Sequence, residues 1–248
     1  MIDRSNIDAP AGKPRKGRGA TLSPTPRYVE HEREGFDDGW GSADETPAAL
    51  FTTVTAEHIR SLINRNQSPD LPFNLSINPY RGCEHGCAYC YARPAHAYMD
   101  LSPGLDFESR LFSKPDAAAV LRRELAKPGY RCESIALGAN TDAYQPIERR
   151  LRITRAIIEV LAECNHPFSI VTKSALVERD IDLLAPLAER DLVQVFVSIT
   201  TLDRDLARRM EPRAAAPQRR VETLRRLAAA GIPSGVMFAP VIPALNDH

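Results

Sequence analysis

From residue 73 onward, short apolar runs alternate with longer segments whose apolar positions recur at helical spacing. The runs predict strands at residues 73–78, 134–138, 168–172, 193–199 and 236–241, the fourth being the most continuous β-branched stretch in the chain. A short excursion strand is expected at 107–112. Between the strands, helices are predicted from Pro115 to about 127 and over 147–164, 181–190, 203–210 and 218–230. Pro115 suits a first helical turn, where its missing N–H costs nothing. Pro186 should kink or restart its helix, and Gly231 is a stop signal.

Strands separated by helices form parallel βαβ units. Near-continuous apolar runs suit a sheet covered by helices, or a barrel wall. The fold class expected is therefore α/β, a partial (βα) barrel of parallel strands. A closed eight-strand barrel takes about 250 residues, so five strands read as an open barrel truncated after the fifth, in a product or fragment of a longer protein. Upstream the pattern is absent. Residues 1–50 are rich in Gly, Pro, Ser and charge, with a basic stretch (Lys13, Arg15, Lys16, Arg18) before an acidic one (Glu30 to Asp38); they are expected to form a disordered tail. Residues 51–72 form a lead-in that starts with an amphipathic, turn-rich segment, and 73–248 form the core.

Composition narrows the classes. Lys plus Arg and Asp plus Glu both number 32, so no global basic field draws the chain onto nucleic acid, which excludes an obligate DNA-coating role while allowing a local basic groove. No apolar run approaches the roughly 20 residues that cross a bilayer, and residues 1–10 lack the apolar stretch of a secretory signal. No membrane partner is expected, and the compartment expected is cytoplasmic, where thiols stay reduced.

The chemistry concentrates in Asn78-Pro79-Tyr80-Arg81-Gly82-Cys83-Glu84-His85-Gly86-Cys87-Ala88-Tyr89-Cys90-Tyr91. Cys83, Cys87 and Cys90 have the spacing C-x3-C-x2-C directly after a strand, at the end where barrel active sites lie. Gly82 and Gly86 allow the turns that bring three thiolates around one body. An electron-transfer [4Fe–4S] cluster takes four cysteines; three leave one position open, the mark of a catalytic metal site. The competing readings are a structural zinc site with His85 or His96 as fourth ligand, three structural thiols, or a redox pair with a bystander. An iron–sulfur or zinc module without turnover, or a non-catalytic fragment, would follow from these.

The loop resembles that of the radical S-adenosylmethionine (SAM) superfamily, and Cys-Ala-Tyr-Cys-Tyr resembles its branch related to spore photoproduct lyase. The resemblance spans about residue 72 to the C-terminus. It implies a [4Fe–4S] cluster on Cys83, Cys87 and Cys90, SAM chelating the open iron, and reductive cleavage to methionine and a 5′-deoxyadenosyl radical that abstracts hydrogen from a substrate. An electron donor of flavodoxin or ferredoxin type is implied. The substrate is unknown, with DNA repair or modification offered by analogy alone.

The resemblance also implies roles along the strand ends. Tyr89 matches an aromatic near the SAM adenine, although packing under the loop explains it equally well. Asp142, in Asn140-Thr141-Asp142, is placed either to receive the SAM amino group or to cap the next helix; the Gly-Gly-Glu-like segment common there is missing. Lys173 and Ser198 look like the lysine and serine that grip the SAM carboxylate, the alternative for Lys173 being a solvated strand-end lysine. Ile242, in Pro240-Val241-Ile242-Pro243, would pass along the adenine, unless the segment is a simple proline-rich turn. Tyr91 matches a tyrosine of a hydrogen-atom relay and is the catalytic candidate. The lyase also holds a cysteine donor near the end of its second strand, where this chain has Ala139-Asn140-Thr141. Cys132 and Cys164 are expected to be ordinary small hydrophobes, and residues 208–213 a solvated basic helix end with internal ion pairs, the alternative being a phosphate or nucleic-acid contact.

Overall fold

The computed structural model describes residues 15, 17–29 and 50–247. Its main sheet has six strands in the order β2-β3-β6-β7-β8-β9: β2 (Asn64–Arg65), β3 (Leu75–Ile77), β6 (Ile135–Leu137), β7 (Phe168–Thr172), β8 (Val193–Ser198) and β9 (Ser234–Met237). From β3 to β9 every pair is parallel, while β2 runs antiparallel on the β3 edge. This is the α/β, mainly parallel arrangement expected from the alternation of runs. The last strand starts at Ser234, two residues before its predicted start.

A second sheet of three strands, β1-β5-β4, was not foreseen. It joins β1 (Thr53–Ala56), β4 (Tyr80–Arg81) and β5 (Arg110–Ser113). The lead-in thus supplies two strands, β1 and β2, rather than one turn-rich segment. The excursion strand starts only at Arg110, because Phe107 lies within the short helix α1 (Leu105–Ser109).

The helices are α2 (Ala117–Leu125), α3 (Glu148–Leu151), α4 (Ile153–Glu163), α5 (Ile181–Ala188), α6 (Arg204–Met210) and α7 (Pro217–Ala229). Pro186 lies inside α5, which a 3-10 helix, Ala175–Asp180, precedes. Side chains from the strands (Leu75, Ile77, Leu137, Ile170, Val195) and from α2 and α4 (Leu121, Ile157, Leu161) form one buried core. Each such side chain contributes about 1.5–3 kcal/mol.

The predicted 147–164 helix is broken at Arg152, whose φ of 55° ends α3. Glu148 is the physical reason. Its fully buried carboxylate accepts from the Thr154 and Arg155 N–H groups, which begin α4 without intrahelical partners. It also accepts from Tyr80 Oη and Arg179. Apolar spacing continues across the break, so periodicity alone could not show it.

In the part of the tail that the structure describes, residues 21–25 and 27–29 are exposed and without helix or strand, but contacts tie it to the rest of the fold. The Gly19 and Ala20 N–H groups donate to Glu108 on α1, and Tyr28 stacks on Tyr98 with ring centroids 5.4 Å apart. The rest of the predicted tail lies outside the described residues, apart from Arg15 and Leu50.

Candidate metal and cofactor site

The cysteine loop leaves the C-terminal end of β3 by way of β4. Gly82 and Gly86 take φ of 73° and 66°, and there is no room for a side chain at either: a Cβ would lie 2.7 Å from Leu111 Cδ2 at Gly82 and 2.8 Å from Glu108 Oε2 at Gly86. Backbone bonds anchor the loop on several sides. The Cys83 N–H donates to Phe107 O at 2.9 Å and the Ala88 N–H to Met210 O at 2.9 Å. Gln145 accepts from the Glu84 N–H and donates to Gly82 O. Arg93 donates to Cys87 O through both Nε and Nη2. Neither Gln145 nor Arg93 stood out in the sequence, since their role depends on partners elsewhere in the fold.

Burial pushes the Cys83 thiol well up and the Cys87 thiol up to about 12, the latter although the Lys173 ammonium works in the opposite direction. Thiolates here would need positive charge nearby, and the Lys173 ammonium supplies some of it to Cys87. Among the described residues no three His, Cys, Asp or Glu side chains converge on a single-ion site. The histidines proposed for zinc face other groups, and among the described residues the Nδ1 atom of each is buried without a well-aligned hydrogen-bond partner. His85 Nδ1 lies 3.2 Å from Asp142 Oδ2, and His96 Nε2 is 3.0 Å from Arg110 O with its ring edge-on to Phe107. The three thiols of the loop are the donors a cysteine-ligated iron–sulfur cluster would use.

Around the loop, the sequence candidates occupy different positions. Tyr89 donates to Glu211 and lies 3.2 Å from Thr200 Oγ1. Lys173, at the end of β7, places Nζ 5.8 Å from the Tyr89 ring centroid. Ser198 is buried at the end of β8, and its carbonyl accepts from Arg220. Ile242 is half-buried and donates its N–H to Asn246 Oδ1, whose amide reaches Thr200 O and Pro240 O. Tyr91 is 72% exposed and donates to Ala139 O.

Asp142 accepts from Thr172 Oγ1, the Lys173 N–H and the Tyr144 N–H, the last being the local Asx-type contact of the capping alternative, and it lies beside His85. Burial alone would raise this carboxyl, but His85 and those donors hold it down at about 2. It is a post between the cysteine loop, β7 and the following turn.

Glu211 was read as part of a solvated basic helix end, yet it is only 3% exposed. It accepts from Arg220, Thr200 Oγ1 and Tyr89 Oη. Burial opposes its charge, but Arg220 and Lys173 outweigh this and keep the carboxyl below the usual range. Arg208 and Arg209 are exposed as expected. Cys132 and Cys164 are exposed free thiols, not buried hydrophobes.

The fold is a mainly parallel α/β sheet with a three-cysteine loop at the C-terminal end of its first parallel strand. The chain belongs to the radical SAM superfamily, whose model matches residues 77–248. An uncharacterized protein of Mycobacterium tuberculosis is 42% identical over 203 residues, 81% of this chain and 60% of its own length. An uncharacterized protein of Methanocaldococcus jannaschii is 29% identical over 69% of this chain and 61% of its own length. The chain thus spans about three fifths of these relatives. Among solved structures, a spore photoproduct lyase complexed with dinucleoside spore photoproduct superposes with a TM-score of 0.54 at 18% identity, covering 77% of this chain and 52% of that one. The likeness is one of fold. Among the described residues, no helix is long and apolar enough to cross a membrane.

Proposed function

We propose that this chain is a radical SAM enzyme that holds a [4Fe–4S] cluster on Cys83, Cys87 and Cys90 and binds SAM across the strand ends beside it. The observation that carries this reading is the three-thiol loop at the C-terminal end of a parallel sheet, with Lys173 facing it. When bound, the cluster supplies the electron that cleaves SAM to methionine and a 5′-deoxyadenosyl radical, which takes a hydrogen atom from the substrate.

The chain's own residues bind and orient. Lys173, held near Tyr89 and Glu211, offers a cation to the SAM carboxylate. Ser198 and Ile242 line the neighbouring strand ends, and Tyr89 is fixed by Glu211 and Thr200. Asp142 acts indirectly, by holding His85 and the backbone of Lys173. Tyr91 sits at the exposed mouth, where a substrate would arrive. An electron donor of flavodoxin or ferredoxin type completes the reaction.

DNA is the substrate class to try first. Arg204 and Arg208 line a cleft of about 450 Å³ with Asp205, Glu211 and Arg220, and with Arg220 paired to Glu211 the two exposed arginines stand beside one exposed aspartate. The test is 5′-deoxyadenosine formation by anaerobically reconstituted protein with SAM and a reductant, with and without duplex DNA. Formation accelerated by DNA supports both parts. Formation indifferent to DNA rejects the substrate class, and no formation with a full cluster rejects the enzyme reading.

A further inference from the structure

We propose that residues 18–24 are a working part of the cysteine-loop site, a strap that positions and covers the Cys87–Cys90 half of the loop. The inference rests on the cluster-binding reading and extends it to a segment outside the motif.

Glu108 is the hub. It is fully buried on α1, and a buried carboxylate requires donors for its oxygens. The strap supplies two of them, the Gly19 N–H at 3.0 Å and the Ala20 N–H at 2.8 Å. Arg93 supplies the third at 2.6 Å, and the same guanidinium grips Cys87 O at 2.8 and 3.2 Å. One carboxylate thus couples the strap to the backbone of a cluster ligand. Without the strap, Glu108 loses two donors and draws Arg93 or water in compensation, which loosens the hold on Cys87. Arg18 adds a second tie. It donates to Glu108 O, Leu50 O and Thr52 Oγ1, and Thr52 donates to Glu84 inside the loop.

The strap lies so close that glycine is needed on both sides. A Cβ at Gly19 would stand 1.8 Å from Gly86 O, and one at Gly104 would stand 2.0 Å from Leu22 O. The glycine content that reads as disorder is here a condition of backbone contact. A shallow, open cleft of about 420 Å³ is lined by Ala20, Leu22 and Pro24 of the strap together with Ala88, Cys90 and Pro94. Displacing the strap removes its share of the lining beside Cys90. Gly19, Ala20, Arg93 and Glu108 are therefore positioning residues.

The test uses two full-chain variants: Gly19→Ala, which collides with Gly86, and Ala20→Pro, which removes a donor to Glu108. Metal-free, reduced protein is alkylated with N-ethylmaleimide, and the rate at Cys90 is read by peptide mass spectrometry against exposed Cys132. A companion measurement follows iron release from reconstituted protein to a chelator. Both the Cys90-to-Cys132 ratio and the release rate should rise about tenfold, the scale of one lost charge-assisted hydrogen bond, with the thermal midpoint little changed. A ratio and release rate equal to wild type in both variants would overturn the strap. If no version takes up iron yet the ratio rises, the strap stands and the cluster reading fails.

Discussion

The Tyr91 hydroxyl donates to the Ala139 carbonyl and lies 3.4 Å from Asn140 Oδ1, tying the residue after the third cysteine to the C-terminal end of β6. At this strand end the chain has Ala139-Asn140-Thr141 and no thiol.

The first prediction concerns that missing thiol. The protein should not repair spore photoproduct through a cysteine donor. Cys132 precedes β6, about 20 Å along the strand direction from its catalytic end, and Cys164 follows α4. The measurement is thymine restored per 5′-deoxyadenosine formed with photoproduct-containing DNA. Clean repair that disappears in Cys132→Ala or Cys164→Ala would place a thiol where none is expected.

Replacing any one of Cys83, Cys87 or Cys90 by Ala should abolish stable cluster binding, whereas Cys132→Ala and Cys164→Ala should leave it intact. Iron and sulfide per chain after anaerobic reconstitution check this. Full iron content in Cys87→Ala would sink the ligand assignment.

Lys173→Ala should weaken SAM binding roughly ten- to hundredfold, the cost of one charge-assisted hydrogen bond to a carboxylate. Cluster content should not change. Equilibrium binding of SAM to reconstituted protein measures it, and an unaltered dissociation constant returns Lys173 to an electrostatic role toward Cys87 and Glu211.

Glu211→Ala should destabilise the fold by about 3–5 kcal/mol, because it strands the buried Arg220 guanidinium. Arg208→Ala, at an exposed position, should fall within about 0.5 kcal/mol of wild type. Denaturant unfolding separates the two. Equal midpoints for Glu211→Ala and wild type would show that the pair is open to water.

A pH prediction follows from His166. Burial lowers its pKa below the ordinary histidine value, against the pull of its bond to Pro167 O. The unfolded chain then binds more protons than the folded one, so stability should fall as pH drops through about 6.5, by at most about 1.4 kcal/mol per pH unit. His166→Gln should flatten this part of the stability profile. An identical slope in the variant would assign the loss to other groups.

What the sequence by itself determined is what neighbouring residues determine together. Apolar alternation located the parallel strands, since the side chains of a strand or helix repeat over a few positions. The spacing of Cys83, Cys87 and Cys90 marked a metal loop because one short segment must carry all three thiols. Tertiary structure alone decided the partners of polar groups far apart in the chain. Glu148 breaks a helix that periodicity continues, Asp142 serves His85 and Lys173, Glu211 is buried against Arg220, and Glu108 receives Gly19 from a tail read as disordered. A carboxylate in sequence looks alike whether solvated or buried. Only the folded chain determines which donors surround it, and a buried charge is stable only when those donors are present.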